Sequence, residues 1–391
     1  MSDEQLALRD AVRRFCEREY PAHLRGAPET RELAKTRWRA MAELGMLGLC
    51  FETEHGGSAL GAVETMLVAE ELGRCLGGEG YIEHAVLAGQ LIAATGSMSQ
   101  RQRLLPALSR GELRIAAALN EAGARGDFAC VATHAQVVDG AYRLNGKKTL
   151  VLGAEDADFL VVSAGVASPP GAASGIALFL VDAQAPGLVI HGYPMIDGRR
   201  AAELHFVDVP VGEDAVLGPL GAALPVIELV VDRAIAALCA QATGVMQALI
   251  ALCVEHLKTR KQFGVPLASF QVLQNRIADM AIALEQARSM ACAAAMAVEA
   301  GSSAAESAVS SSERRRMVSA AKFLIGRAAC DIGHEAIQLH GAMGMTDECI
   351  AARYARRLFV IDQLFGNARH HLQRFASIPK TDTNDVEKHA L

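Results

Sequence analysis

Helices, then strands, then helices again is the order this sequence predicts, an α+β protein of more than one domain. Three observations carry that reading. Hydrophobic residues make up 51% of the chain and aromatic residues only 5%, and alanine–leucine runs dominate, which favours packed helices over a sandwich rich in Val, Tyr and Trp. Between residues 113 and 217, short runs separated by Gly, Pro or Asp replace the helical spacing. At 391 residues the chain exceeds one small core, so roughly two or three domains are expected.

Helical spacing holds from Asp3 to about Ser109. Leu6, Val12 and Phe15 mark one face, and Trp38, Met41, Leu44 and Leu47 another. A polar, glycine-rich connection over 52–61 precedes a further helix over 63–76. The middle region reads as strands at 114–119, 135–138, 142–144, 149–152, 159–164, 176–181, 189–193 and 202–207, with Asp139-Gly140 predicting a hairpin. Residues 168–174 read as an exposed hairpin tip. After Gly218-Pro219-Leu220-Gly221 the helical spacing returns and continues to about Phe375. Within it, 301–312 reads as a low-complexity interhelical loop, and 380–391 as a polar, disordered tail. The expected domains are therefore 1–112, 113–217 and 218–379.

Composition narrows the function. A formal charge of −6 gives no electrostatic reason to bind nucleic acid, and the clusters Arg314-Arg315-Arg316 and Arg353, Arg356, Arg357 read as solvated helix faces. Nine cysteines, with no Cys-x-x-Cys pair, read as reduced core residues of a cytoplasmic protein. The amino terminus lacks a basic region followed by an apolar run, so export is not expected. Residues 234–254 are apolar enough to mimic a membrane span, but Gln241, Thr243 and Gln247 interrupt them, and a buried bundle helix is expected instead. His340, His370 and His371 are not spaced as metal ligands. No Gly-x-Gly-x-x-Gly follows a strand and no Gly-x-Ser-x-Gly occurs, which disfavours a Rossmann site and a serine hydrolase.

Two stretches carry chemistry. Residues 338–346 read Gln-Leu-His-Gly-Ala-Met-Gly-Met-Thr, where Gly341 and Gly344 allow a tight turn; a phosphate cradle and a plain helix-to-helix turn both fit. Arg260, near the end of a long helix, precedes Lys261-Gln262-Phe263-Gly264. A guanidinium is a forked, always-charged partner for a pyrophosphate, and Phe263 could cover an aromatic ring. A surface helix arginine is the plain alternative.

The α–β–α order, the loop Leu119-Asn120-Glu121-Ala122-Gly123-Ala124-Arg125-Gly126-Asp127, the Arg260 motif and the 338–346 stretch together resemble the acyl-CoA dehydrogenase family over nearly the whole chain. That resemblance implies an N-terminal helical domain, a middle β-barrel or sandwich domain and a C-terminal four-helix bundle. It also implies FAD across a dimer interface, an acyl-CoA thioester substrate and an electron-transferring flavoprotein as acceptor. Carried over residue by residue, Arg260, Gln262, Phe263, Gln271, Gln338, Leu339, His340, Gly341 and Ala342 would contact FAD. The wording around Asp232-Arg233, Arg260–Gly264 and Leu364-Phe365-Gly366-Asn367 is most similar to the small subunit of pimeloyl-CoA dehydrogenase, and secondarily to paired steroid-degrading relatives.

The family's chemistry needs a carboxylate base, and this sequence departs there. Phe365 stands where the usual glutamate precedes a glycine, and Ala234 stands at the alternative base position; neither accepts a proton. Asp362, three residues before Phe365, and Asp232, about 200° around a helix from Ala234, are the weak fallback candidates. A helix-terminal or salt-bridged role suits each. The loop keeps Glu121 and Asp127 but loses the family's hydroxyls, with Arg125 where glycine is expected. The flavin-stacking strand reads Leu150-Val151-Leu152, without a hydrogen-bonding side chain. The expectation is a subunit of a hetero-oligomer whose partner supplies the base. A self-sufficient homo-oligomer using Asp362 or Asp232, and a non-catalytic scaffold, are the alternatives.

Overall fold

The computed structural model describes residues 1–25, 30–78, 80–124, 126–138, 140–166, 175–300 and 308–379. The element order is helical, then sheet, then helical, which is the predicted fold class. The chain forms two compact units, one of Met1–Gly26, Ala62–Gly77 and Ile235–Leu391, the other of Ala27–Gly61 and Gly78–Ala234.

The first unit is helical. Helix α1 (Asp3–Glu19) opens on a capping box between Ser2 and Gln5, which satisfies two otherwise orphaned amides. It meets α3 (Ala62–Arg74) through a two-bond contact from Arg13 to the buried Glu71 at 2.6 and 3.2 Å. A Cβ on Gly73 would collide with the Gln241 carbonyl, and one on Gly244 with that of Glu70. Bare glycine therefore sets how closely α3 approaches α6 (Leu224–Thr259). Among the described residues α6 is the one helix long and apolar enough to cross a membrane, and 72% of its most apolar window is buried inside the fold. Helices α7 (Gln271–Ala300), α8 (Ala308–His340), α9 (Ile350–Gln363) and α10 (Ala368–Ser377) complete this unit.

Helix α8 begins at Ala308, inside the stretch read as a loop, because serine and alanine do not themselves break a helix. Residues 301–307 and 380–391, the hairpin tip at 168–174 and Arg125 lie outside the described residues. The arginine clusters are a second correction. Arg314 and Arg357 are each 3% exposed; Arg357 donates to Gln241, Arg353 to the Arg25 carbonyl, and Arg316 to the carbonyls of Phe375 and Ile378. Charge counting missed that guanidinium groups can satisfy backbone ends inside a bundle.

The second unit contains α2 (Arg31–Glu43), a π-helical segment (Tyr81–Gly89), α4 (Gln90–Thr95) and α5 (Met98–Ser109). Its eight-stranded sheet runs β6 (Leu188–Pro194), β7 (Arg200–Val211), β3 (Ala141–Leu152), β2 (His134–Val138), β4 (Phe159–Val166), β5 (Gly175–Asp182), β8 (Val216–Leu217), with β1 (Ile115–Ala118) parallel to β4. Strands β2 and β3 form the predicted hairpin, with Val138 opposite Ala141. The runs 142–144 and 149–152 are one strand, not two: its pairing with β7 shifts between Leu144 and Gly146 and again between Lys148 and Val151, and these bulges mimic a break in the alternation. Leu144, Val151, Leu160, Val162, Phe179, Leu204 and Phe206 fill the core on this sheet.

All nine cysteines are free thiols. Four are buried, as predicted, but Cys130 and Cys292 are exposed.

Candidate functional site

The first cluster lies at the corner where α6 gives way to α7. Arg260 follows the last residue of α6, and Lys261–Gln262 pairs antiparallel with Val265–Pro266 (β9 and β10), leaving Phe263-Gly264 as a two-residue turn. Both turn residues have positive φ, 53° and 83°, as a tight hairpin requires. Phe263 is 90% exposed, an edge-on neighbour of Phe270 with centroids 6.2 Å apart. Arg260 is exposed, and its guanidinium has no hydrogen bond or ion pair among the described residues. Gln262 and Gln271 are also exposed.

The structure joins this corner to the second motif through a residue that sequence reasoning missed. His256, one turn before Arg260, stacks on His340 at 4.4 Å with the rings 26° apart. Burial, then His340 and Arg260, push the His256 pKa down, so the ring is held neutral beside the arginine. A histidine four residues before the arginine, facing another at the end of α8, was the available signal.

The 338–346 stretch differs from an anion cradle of bare amides. Gln338, Leu339 and His340 form the last turn of α8, and Gly341–Met345 continue as a 3₁₀ turn. A helix carboxy-terminus presents carbonyls and negative dipole, the opposite of what an anion seeks. Gly341 takes φ +62°, but Gly344 is buried where a Cβ would lie 2.7 Å from the Ile337 carbonyl oxygen. Leu339 is 6% exposed, His340 is half-buried with its Nδ1 2.8 Å from the Ala336 carbonyl, and Gln338, Gly341 and Ala342 face outward. Positive charge at this corner comes from Arg260 and Lys261.

The second cluster, also in the first unit, is the turn after α9. Phe365 has φ +57° and is 9% exposed, followed by Gly366 at +97°. The turn is held from several sides. The fully buried Lys322 donates to the carbonyls of Ile361 and Asp362, both at 2.8 Å. The Asp362 carboxylate accepts from the Ala368 amide at 3.1 Å and from Gln363 Nε2 at 2.9 Å. His371 Nε2 donates to the Phe365 carbonyl at 3.0 Å, and Asn367 caps α10 by accepting from the His370 amide at 3.0 Å. Burial, reinforced by Lys322, brings the His371 pKa down to about 3. Asp362 thus lies at the end of α9 and holds the first amide of α10.

The third cluster lies in the second unit. Glu121 Oε2 accepts from the Ala132 amide at 2.7 Å, while Oε1 accepts from the Thr133 amide at 3.0 Å and from Lys148 Nζ at 2.7 Å. Asp127 Oδ1 accepts from the Ala129 amide at 2.9 Å. Both retained carboxylates therefore anchor their own loop. Leu150 sits at the β3 bulge with φ +51° and Val151 is 1% exposed. Asp232 and Ala234 are fully buried on α6. Among the described residues no group of three or more His, Cys, Asp or Glu is placed to hold a metal ion.

Comparison places this chain, helical then sheet then helical with a cation and a projecting aromatic at the α6–α7 corner, among flavin-dependent oxidoreductases acting on CH–CH bonds. Its family follows from comparison. Residues 2–112, 116–209 and 225–376 match the acyl-CoA dehydrogenase N-terminal, middle and C-terminal domain models. The 3-(aryl)acrylate reductase of Clostridium sporogenes is 30% identical over 92% of this chain and 94% of its own. The mitochondrial isovaleryl-CoA dehydrogenase of Pongo abelii is 31% identical over 75% of this chain and 70% of its own. The solved structure of a Tcur3481-Tcur3483 steroid ACAD variant superposes with TM-score 0.83 and 30% identity, covering 100% of this chain and 99% of that one. The chain belongs to the acyl-CoA dehydrogenase family, whose members use FAD.

Proposed function

We propose that this chain is the base-lacking subunit of a hetero-oligomeric acyl-CoA dehydrogenase. Arg260 would hold the pyrophosphate, and Gln262, Phe263, Gln271 and the Gln338–Ala342 segment would line the adenine side, of an FAD seated mainly on the partner. The residues at the α6–α7 corner fit that half of the cofactor: an exposed guanidinium without a protein partner suits a phosphate, and an exposed aromatic suits a ring. When bound, FAD would supply the hydride acceptor for α,β-dehydrogenation of an acyl thioester. The ring side fits less well, since Leu150, Val151 and Leu152 offer no side-chain hydrogen bond and Phe365 offers no base.

One observation carries the reading. The residue at the base position, Phe365, is a buried phenylalanine in a turn tied down by Lys322, Asp362 and His371. Asp362, the nearer fallback, already accepts two hydrogen bonds. A carboxylate from a second chain is then the simplest source of the base. The resemblance to the pimeloyl-CoA dehydrogenase small subunit and the paired designations in the name of the steroid ACAD structure support a mixed assembly, with a dicarboxyl or steroid side-chain acyl-CoA as substrate and an electron-transferring flavoprotein as acceptor. The test is expression alone and beside neighbouring dehydrogenase genes, with bound flavin and acyl-CoA dehydrogenation measured in each. Full activity in the lone chain overturns the proposal.

A further inference from the structure

Lysine is seldom wholly buried, because desolvating an ammonium costs several kcal/mol unless it is paired. Lys148 is 0% exposed on β3, its Nζ 2.7 Å from Glu121 Oε1 and 2.9 Å from Ser163 Oγ on β4. Glu121 is the charged group facing it, and Ser163 the neutral one. Through Glu121 the same ammonium reaches the amides of Ala132 and Thr133, at the far end of the 121–133 loop. Next in sequence, Thr149 N donates to the Asn120 carbonyl at 2.9 Å, and Leu150 then takes the left-handed φ of +51° that a β-branchless but bulky residue adopts only under constraint.

We propose that Lys148 is a positioning residue, fastening the 121–133 loop to the β3 bulge so that Leu150 keeps its left-handed conformation. The consequence for flavin rests on the reading of that loop and bulge as flavin-facing; the fastening itself does not. A filler side chain would serve the core equally well but would not gather a loop carboxylate and two loop amides onto one atom cluster.

Amide hydrogen exchange on the chain without flavin tests this, with β6–β7 amides as the internal reference. Lys148→Met is expected to speed exchange of 121–133 and 149–151 about tenfold or more relative to that reference. Lys148→Arg, which keeps the charge, should speed the loop less than Lys148→Met does. Ser163→Ala keeps the contact with Glu121, so it too should speed the loop less, and Glu121→Gln, which removes the carboxylate, carries the test if Lys148→Met does not fold. Unchanged loop exchange in Lys148→Met and Glu121→Gln overturns the inference. Because flavin is absent throughout, that failure is separate from failure of the FAD reading, which would appear as a co-expressed complex without flavin.

Discussion

The dipeptide Phe-Gly occurs at two left-handed corners of the first unit, with nearly the same backbone and opposite surroundings. Phe263-Gly264 has φ of 53° and 83°, Phe365-Gly366 has 57° and 97°. Phe263 is 90% exposed and Phe365 is 9% exposed. Among the described residues no atom beyond the adjacent ones lies within 4 Å of a Cβ built on Gly264, whereas one on Gly366 would lie 2.5 Å from His370 Cδ2. The first corner projects an aromatic next to an uncommitted cation, and the second is filled and satisfied by the chain itself. Local backbone chemistry thus makes the turn, and packing decides whether the turn offers anything to a ligand.

The contrast can be broken or sharpened by substitution. The largest effect is expected at Gly366→Ala, where left-handed strain and the clash with His370 together cost about 3 kcal/mol of unfolding free energy in urea titration. Arg260→Ala should leave the fold intact but cost about 2 kcal/mol of flavin retention in the co-expressed complex, roughly a thirtyfold weaker affinity by fluorescence titration; unchanged flavin content would favour a scaffold. At His371 the folded pKa of about 3 lies below the unfolded 6.5, so its contribution is complete above pH 6.5 and lost as pH falls toward 3. Stability should decline by up to about 1.4 kcal/mol per pH unit across that window, and His371→Phe should flatten the slope. Asp362→Ala leaves the first amide of α10 without its acceptor and should cost about 1 kcal/mol in stability, with dehydrogenation per folded complex unchanged. Smallest is Phe263→Ala, within about 0.5 kcal/mol in the isolated chain, although flavin retention in the complex should fall.

The architecture was legible because periods of 3.6 and 2 report helices and strands directly. The detail was hidden where one feature imitates another. Bulges at Gly146 and Leu150 make β3 look like two strands, and a π-helical segment at Tyr81–Gly89 differs from an α-helix only by an added residue per turn. Buried charge was the least visible. Lys148, Lys322 and Arg357 look like surface residues in composition, and only the acceptors gathered around them from distant sequence explain their burial. The corner at Arg260 was readable as a motif, but its tie to 338–346 runs through the His256–His340 stack, a contact between residues 84 apart by subtraction of their numbers. The turn at Phe365 was readable as a stretch without a carboxylate at that position, and not as a turn in which Asp362 holds the first amide of α10.

The account depends on a division of labour between this chain and a partner. Native mass spectrometry of the chain alone and of the complex formed with a co-expressed dehydrogenase subunit measures flavin and stoichiometry together, with acyl-CoA dehydrogenation assayed on the same samples. The prediction is a lone chain that retains little flavin and is inactive, and a mixed complex that carries FAD and is active. A lone chain carrying one FAD per protomer and dehydrogenating acyl-CoA at the rate of the complex would contradict it.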